Sequence, residues 1–524
     1  MRFPKVVAFA AGLASACGFA PLDLWPVTII AFAMLLWIVN GAPDLRAALA
    51  RGYMFGLGHF IVGLNWIAGA FRYQDTMPVW LGWVAVVLLS IYVAVYPAVA
   101  AGLAWRWGRG RGSKPAFVLL FAAAWIVTEY LRAVLFTGFA WNPLGVIWVG
   151  TPVAGLSRWI GSYGLSGLMV LVCGLLVIFV QHLWIEIRSK PLTPARIAAL
   201  IVFFILPELI AITFVPFLYG SEPSAVTDQS RPLVRVVQPN IGLNEGRDLA
   251  VARAGLEKLA QLSGPPGTEP RLLFWPEAAL NDAYEIAYDA RLRADLASLL
   301  GPRDLLIAGG TRVEYARRQS GVGIEEIGVA ATNSAFVLDA NGAIRGRYDK
   351  AHLVPYGEYL PMRPLLSAIG LNRLVPGDID FRPGSGPQSI DLPGFGQIGV
   401  QICYEIIFSG QVADRANRPD FLFNPSNDAW FGSWGPPEHL AQARLRAIEE
   451  GLPVIRSTPT GISAVIDPKG RVLVALPMNK AGVIQTRLPA AAPPTLFARF
   501  GNILPLAFAL TLIGFAVALR RWHR

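Results

Sequence analysis

Apolar residues fall into two regimes along this chain. Up to residue 218 they run in long blocks: Val6–Pro21, Trp25–Val39, Ala47–Phe71, Val79–Trp105, Ala116–Phe136, Gly161–Ile187 and Ile197–Leu218. One more block, Phe500–Leu519, closes the chain. Each is near the roughly 20 residues that cross a bilayer as a helix. The pattern therefore predicts eight transmembrane helices, seven before residue 220 and one after 495. The first block follows Arg2 and Lys5 and contains Ala14-Ser15-Ala16, as a cleaved leader would. Because the second block follows almost at once, we read the first as a retained helix.

After Gly220 the pattern changes to short apolar or β-branched runs alternating with amphipathic segments and Gly/Pro turns. Period-two runs predict strands at Leu233–Gln238, Arg271–Trp275, Leu305–Ala308, Ser334–Leu338, Ala343–Tyr348 and Gln397–Ile402. Further strands are predicted at Phe421–Phe423, Pro453–Ser457, Ser463–Asp467 and Val472–Ala475. Helical spacing fits Arg247–Leu262, Tyr284–Leu300, Gly410–Asn417 and Glu438–Glu450. This alternation argues for one layered α/β domain. The chain thus divides into a membrane domain (1–220), an α/β domain (221–495) and a closing helix with its tail (496–524).

Composition agrees with a membrane protein that carries a soluble part. Of 524 residues, 54% are hydrophobic and only 15% charged, against roughly 25% charged in soluble domains. The net charge of +10 could indicate nucleic acid, but the basic residues cluster between apolar blocks, where they set topology. With the N-terminus inside, the inner segments hold Arg2 and Lys5; Arg46 and Arg51; Arg106, Arg109, Arg111 and Lys114; Arg188, Lys190 and Arg196; and Arg520, Arg521 and Arg524. The short outer loops hold little beyond Arg72 and Arg158. Seven spans then place residues 221–495 outside, which in a bacterial inner membrane is the periplasm. No nucleic-acid partner is implied.

The three cysteines, Cys17, Cys173 and Cys403, suggest no disulfide framework. No metal-ligand spacing and no nucleotide-binding glycine motif occurs, so neither a metal nor a cofactor is argued. Cys403 stands at the end of the Gln397–Ile402 strand, followed by Tyr404, Glu405 and an expected helix start near Ser409. A lone cysteine is more often a packed small hydrophobe. At a strand-to-helix elbow, however, a thiol can be presented rigidly to a cleft. Other strand ends carry Glu277 (Phe274-Trp-Pro-Glu277), Lys350 and Glu358 (within Tyr348–Pro361), and a polar loop, Phe423–Gly432. Ligand sites of open α/β sheets gather beyond strand carboxyl ends. A neutral thiol needs a base; Glu277 is one candidate, with Lys350 stabilising an oxyanion and Glu358 either orienting Lys350 or assisting in proton transfer. His352 and His439 are rival bases. In the helical part, Phe136–Gly145 is an aromatic, Gly/Pro-broken outer loop. Its Phe139 and Trp141 serve either as interfacial anchors or as contacts for an acyl chain. Leu360, Met362, Leu365, Leu366, Ile369, Leu371 and Leu374 form either a core helix or a membrane-dipping arm.

Together, WPE at 275–277, DKAHLVPYGEYLP at 349–361 and CYE at 403–405 resemble the nitrilase superfamily with its Glu–Lys–Cys triad. Set in a frame of seven leading helices and one trailing helix, they resemble the apolipoprotein N-acyltransferase family in particular. FTGFAW at 136–141 is similar to that family's FTGFPW. The resemblance implies an αββα sandwich on a membrane base and a ping-pong reaction. Cys403 would take an acyl chain from a phospholipid, typically phosphatidylethanolamine, as a thioester. It would pass the chain to the α-amino group of a diacylglyceryl-cysteine at an apolipoprotein N-terminus. It further implies Glu277 as general base, Lys350 as oxyanion stabiliser, Glu358, Tyr404 and Glu405 as supporting residues, and a monomer without cofactor. A lid tryptophan usual after Gln238-Pro-Asn-Ile241 is missing; Arg247 falls near its place. A membrane-tethered amidase, in which water resolves the thioester, would use the same triad. A non-enzymatic scaffold or transporter fits less well, because Glu129, Arg132, Glu186 and Glu208 lie mostly near span ends.

Overall fold

The structure is a computed structural model that describes residues 3–73, 77–108, 114–189, 193, 228–242, 249–280, 284–320, 323–368 and 380–522. The chain divides into two compact units. One comprises Met1–Trp66, Trp83–Pro223 and Pro494–Arg524, and the other Ile67–Gly82 and Ser224–Pro493.

The first unit is helical: α1 (Pro4–Ser15), α2 (Trp25–Asn40), α3 (Leu45–Gly63), α5 (Leu81–Val93), α6 (Val95–Gly108), α7 (Lys114–Val134), α8 (Ser157–Ser189), α13 (Leu496–Phe500) and α14 (Ile503–Trp522), with α4 (Ile67–Ala70) in the second unit. Among the described residues, four stretches are long and apolar enough to cross a membrane: Leu81–Gly108, Lys114–Val134, Pro152–Ile185 and Ile503–Trp522. Pro4–Gly18 and Trp25–Asn40 are shorter apolar helices. The Ile197–Leu218 block lies outside the described residues. Small residues let helices approach closely. A Cβ on Gly12 of α1 would lie 2.1 Å from the Phe55 carbonyl oxygen of α3. The expected Ala47–Phe71 span is shorter, because α3 stops at Gly63. There the Asn65 side chain donates to the Val62 carbonyl at 2.8 Å, satisfying a chain end that another turn would have used.

The second unit holds two six-stranded sheets, ordered β12-β1-β2-β3-β4-β5 and β11-β10-β9-β8-β7-β6. The first is built from β1 (Leu233–Gln238), β2 (Arg271–Phe274), β3 (Leu305–Ser320), β4 (Gly323–Asp339), β5 (Ile344–Asp349) and β12 (Gly482–Arg487). The second is built from β6 (Ser389–Leu392), β7 (Gly396–Val400), β8 (Phe421–Pro425), β9 (Val454–Ser457), β10 (Ser463–Ile466) and β11 (Val472–Leu476). Strand alternation decides the layers. Val237, Leu273, Trp275, Leu306, Ala308, Phe336 and Leu338 share one face of the first sheet and pack with Leu259 of α9 (Leu249–Ser263) and with Leu292 and Leu296 of α10 (Ala290–Ala297). The opposite face meets the second sheet, where Phe274 packs on Phe423 with ring centroids 4.8 Å apart. The unit is the layered α/β domain that the alternation of elements predicts.

Several elements differ from the sequence reading. Leu305–Ala308 and Ser334–Leu338 are the inner ends of one long hairpin, whose outer part pairs Arg317 with Glu326 and Arg318 with Glu325. Charges on both strands hid the period-two signal. The helix expected at Tyr284–Leu300 starts only after Asp289, whose side chain accepts from the Arg291 and Leu292 amides and so caps it. No helix forms at Gly410–Asn417, because the Asp414 side chain takes the Ala416 and Asn417 amides. The elbow itself is a tight 3-10 turn at Cys403–Ile407 rather than a helix starting near Ser409.

Candidate active site

Glu277, from the end of β2, meets Lys350 and Glu358, both from the loop that follows β5. Lys350 directly follows β5, and its Nζ donates to Glu358 Oε1 at 2.9 Å and to Glu277 Oε1 at 3.4 Å. The ammonium is only 1% exposed. Burial pulls its pKa down, but Glu358, Glu277 and Cys403 outweigh burial and hold it above the ordinary lysine value. Lys350 is therefore a fixed cation. Glu277 lies just past β2, where Gly309 of β3 makes room for it. A Cβ there would sit 2.6 Å from the Pro276 carbonyl oxygen and 2.8 Å from Glu277 Cα.

A residue that the sequence reading missed closes the cluster. Asn333 Nδ2 donates to Glu277 Oε1 at 2.8 Å and to Glu358 Oε1 at 2.9 Å. The Asn427 amide donates to Glu277 Oε2 at 2.6 Å, and the Val354 amide to Glu358 Oε2 at 2.8 Å. Asn333 lies within the Thr-Asn-Ser run of β4, just before the Ser334–Leu338 stretch in which the sequence predicts a strand.

Cys403 opens the 3-10 turn with φ of 52°, a left-handed conformation uncommon outside glycine. Expected to be presented to a cleft, it is instead enclosed, with 4% of its surface exposed. Burial pushes its thiol pKa up, and Glu277 and Asp428 push it further. Lys350 and a hydrogen bond from Ser426 pull the other way without winning. The resting group is thus a thiol, held near a carboxylate and an ammonium.

Glu405 ties the elbow to the Lys350 loop. Its Oε1 accepts from the Tyr348 hydroxyl at 2.8 Å and from the Ala351 and His352 amides at 2.7 and 3.1 Å. Its Oε2 accepts from the Ile402 amide at 2.7 Å. Burial raises this carboxyl to about 7, against the pull of those hydrogen bonds. Tyr404 is buried and packs edge-on against Phe408, with centroids 5.2 Å apart. Neither rival imidazole is placed as the base. His352 stacks on Phe408 at 3.7 Å, and His439 Nε2 engages the Cys403 main-chain carbonyl at 3.0 Å.

Phe139 and Trp141 belong to the helical unit. Trp141 has no exposed surface and packs on Trp66, with centroids 4.3 Å apart. Its carbonyl accepts from Arg132 at 2.9 Å. It is a core residue of that unit rather than an interfacial anchor. Phe139 lies 5.9 Å from the Arg132 guanidinium. Along the expected apolar arm, Leu360 is buried while Met362 and Leu365 are exposed. The side chains of Leu366, Ile369, Leu371 and Leu374 lie outside the described residues, as does Arg247.

Comparison with known proteins is decisive at the level of family. The model of the apolipoprotein N-acyltransferase N-terminal domain matches residues 11–175, and the carbon-nitrogen hydrolase model matches residues 233–492. The chain is 35% identical to the apolipoprotein N-acyltransferase of Bradyrhizobium diazoefficiens over 98% of its own length and 94% of that protein. The chain belongs to the apolipoprotein N-acyltransferase family. It is also 34% identical to the apolipoprotein N-acyltransferase of Rhodopseudomonas palustris, over 98% of this chain and 95% of that one. Within this apolipoprotein N-acyltransferase frame, the carbon-nitrogen hydrolase match runs from β1 past β12. It therefore contains Glu277, Lys350, Glu358 and Cys403.

Proposed function

We propose that this enzyme transfers an acyl chain from a phospholipid, through a thioester on Cys403, to the free α-amino group of an apolipoprotein's N-terminal diacylglyceryl-cysteine. The observation that carries the reading is the buried Glu277–Lys350–Glu358 cluster, two of whose charges, Glu277 and Lys350, act on the Cys403 thiol.

In the first half-reaction Glu277 takes the thiol proton as the sulfur attacks the ester carbonyl. Lys350 stabilises the resulting oxyanion, a role suited to a cation that does not titrate near neutrality. Collapse breaks the acyl C–O bond, and Glu277 returns the proton to the departing lysophospholipid oxygen. In the second half-reaction the α-amine attacks the thioester and gives up a proton to Glu277. Collapse then breaks the C–S bond, forms the amide and restores the thiol. Glu358 and Glu405 hold Lys350 and the elbow in place. Because Cys403 is enclosed, neighbouring side chains must give way to admit the ester.

The finer assignments belong to the same reading. Eight helices span a bacterial inner membrane, with residues 221–495 in the periplasm. Phosphatidylethanolamine is the donor, and the enzyme works as a monomer. Their support is the charge asymmetry of the loops and the need for the sulfur to reach lipid esters. The test is product analysis with phosphatidylethanolamine and a diacylated lipopeptide. Wild type should yield N-acylated peptide, and Cys403→Ser, Glu277→Gln and Lys350→Met should each yield none. Free fatty acid in place of acylated peptide would turn the reading into an amidase-like hydrolase.

A further inference from the structure

The Cys403 turn is gripped along its length by one helix. Helix α12 (Gly435–Glu450) is unusual in burying a polar face, on which His439, Arg446 and Glu449 stand together. His439 Nε2 lies 3.0 Å from the Cys403 carbonyl oxygen. Arg446 Nη1 donates to the Ile407 carbonyl at 3.0 Å. Glu449 accepts from the Ser409 hydroxyl at 2.9 and 3.0 Å. The start, the end and the exit of the turn are thus each held by the same rigid element.

The His439 ring is itself fixed. A carbonyl only accepts, so Nε2 carries a proton. Burial, and then the Arg456 charge beside it, hold the ring's pKa below the ordinary histidine value, so the ring is neutral and Nδ1, 3.1 Å from Arg456 Nη2, presents its lone pair. The ring is therefore the neutral Nε2–H tautomer. Asp428, 3.1 Å from Nδ1, is satisfied instead by Arg456 at 2.7 and 2.6 Å and by Ser426 at 2.7 Å. Arg456 also donates to Asn424 Oδ1, whose amide donates to the Gln401 carbonyl at 2.6 Å and the Cys403 carbonyl at 3.4 Å. His439, Arg456 and Asn424 have no exposed surface, and Asp428 has 1%.

We infer that His439 is a positioning residue for acyl transfer: by donating from Nε2 to the Cys403 carbonyl it holds the cysteine in its left-handed backbone conformation and so aims the sulfur at Glu277 and Lys350. The Asn424–Asp428–Arg456 set keeps the ring in the donating tautomer. The histidine moves no proton to or from substrate. The inference rests on Cys403 being the acylated residue.

Glutamine places an amide N–H2 near the position of Nε2, whereas asparagine reaches only the position of Nδ1. The test therefore compares His439→Gln with His439→Asn in the full-length purified enzyme. Mixed micelles of phosphatidylethanolamine at saturating concentration supply the acyl chain. Intact mass follows the rate of acyl-adduct formation, and Tm is measured in parallel. His439→Gln should acylate within about threefold of wild type, while His439→Asn should be slowed roughly tenfold or more at saturating lipid, a loss in kcat rather than KM. Equal rates in the two variants, with both merely lowered in Tm, would overturn the inference. Absence of an adduct in the wild type would overturn the Cys403 reading itself, an outcome distinct from slow acylation confined to His439→Asn. A further measurement needs no variant: histidine nitrogen NMR of the wild type should find His439 as the Nε2–H tautomer at neutral pH. An Nδ1–H tautomer or an imidazolium there would contradict the inference.

Discussion

Replacing Asn333 by alanine tests the charge cluster where its geometry is most explicit. The Asn333 amide serves both carboxylates, at 2.8 Å to Glu277 and 2.9 Å to Glu358. The two oxygens do not depend on it equally. Glu358 Oε1 would keep its 2.9 Å contact to the Lys350 ammonium, but Glu277 Oε1 would keep only the 3.4 Å one. The loss therefore falls on the proposed base. A hydrogen bond to a charged group contributes about 1.5–3 kcal/mol. At about 1.4 kcal/mol per factor of ten, Asn333→Ala should slow thioester formation by roughly ten- to a hundredfold. Asn333→Asp should be slower still, since it adds a third carboxylate to a cluster that holds a single ammonium. The assay is single-turnover acylation followed by intact mass, with Tm recorded alongside. Asn333→Ala acylating at the wild-type rate would refute the argument that this amide holds Glu277 in register.

Other consequences follow from the same contacts. Glu405→Gln must turn an amide N–H2 toward at least one of the donors now facing the carboxylate. It should cost about 1–3 kcal/mol and lower Tm by about 2–4 °C per kcal/mol; an unchanged Tm would contradict this. The Glu405 carboxyl is raised from 4.5 to about 7. Its contribution to stability is therefore full below its unfolded value and lost as pH rises through 7. The stability gap between wild type and Glu405→Gln should accordingly narrow on raising pH from 5 to 8, and a widening gap would reverse the sign. Alkylation of Cys403 by iodoacetamide should keep accelerating through pH 9, because burial and Glu277 hold the thiol above its ordinary value of 9.0; a plateau at neutral pH would show a thiolate instead. Gly309→Ala forces a Cβ against backbone at Pro276 and Glu277. It should cost about 1–3 kcal/mol and most of the acylation rate, and normal kinetics would show that the strand end tolerates the shift.

Glu277, Lys350 and Cys403 were legible because each sits in a short motif at a strand end, where period-two patterning stops, and Glu358 because it stands in the Gly/Pro loop that follows Lys350. Their convergence was legible only as an expectation that strand ends share a rim. Asn333 was not, because a polar residue inside a strand looks like any solvent-facing position. Only the antiparallel register, which sets Ser334 opposite Asp349, brings it beside Lys350. The enclosure of Cys403 and the histidine on its carbonyl were illegible for a related reason. They depend on a helix some thirty residues further along docking its polar face on the turn. The aromatic, Gly/Pro-broken loop offers Trp141 as an interfacial anchor or an acyl-chain contact, yet Trp66 and the Arg132 bond to its carbonyl draw it into the core of the helical unit. In the hairpin of β3 and β4, charged cross-strand pairs erased the hydrophobic alternation that reveals strands elsewhere.

The most direct test is the mass of the intact enzyme after incubation with phosphatidylethanolamine and no acceptor. A single added acyl chain, located on Cys403, released by neutral hydroxylamine and absent from Cys403→Ser, is the result this account predicts. A protein that turns over lipid and acceptor while Cys403 stays unmodified would contradict it.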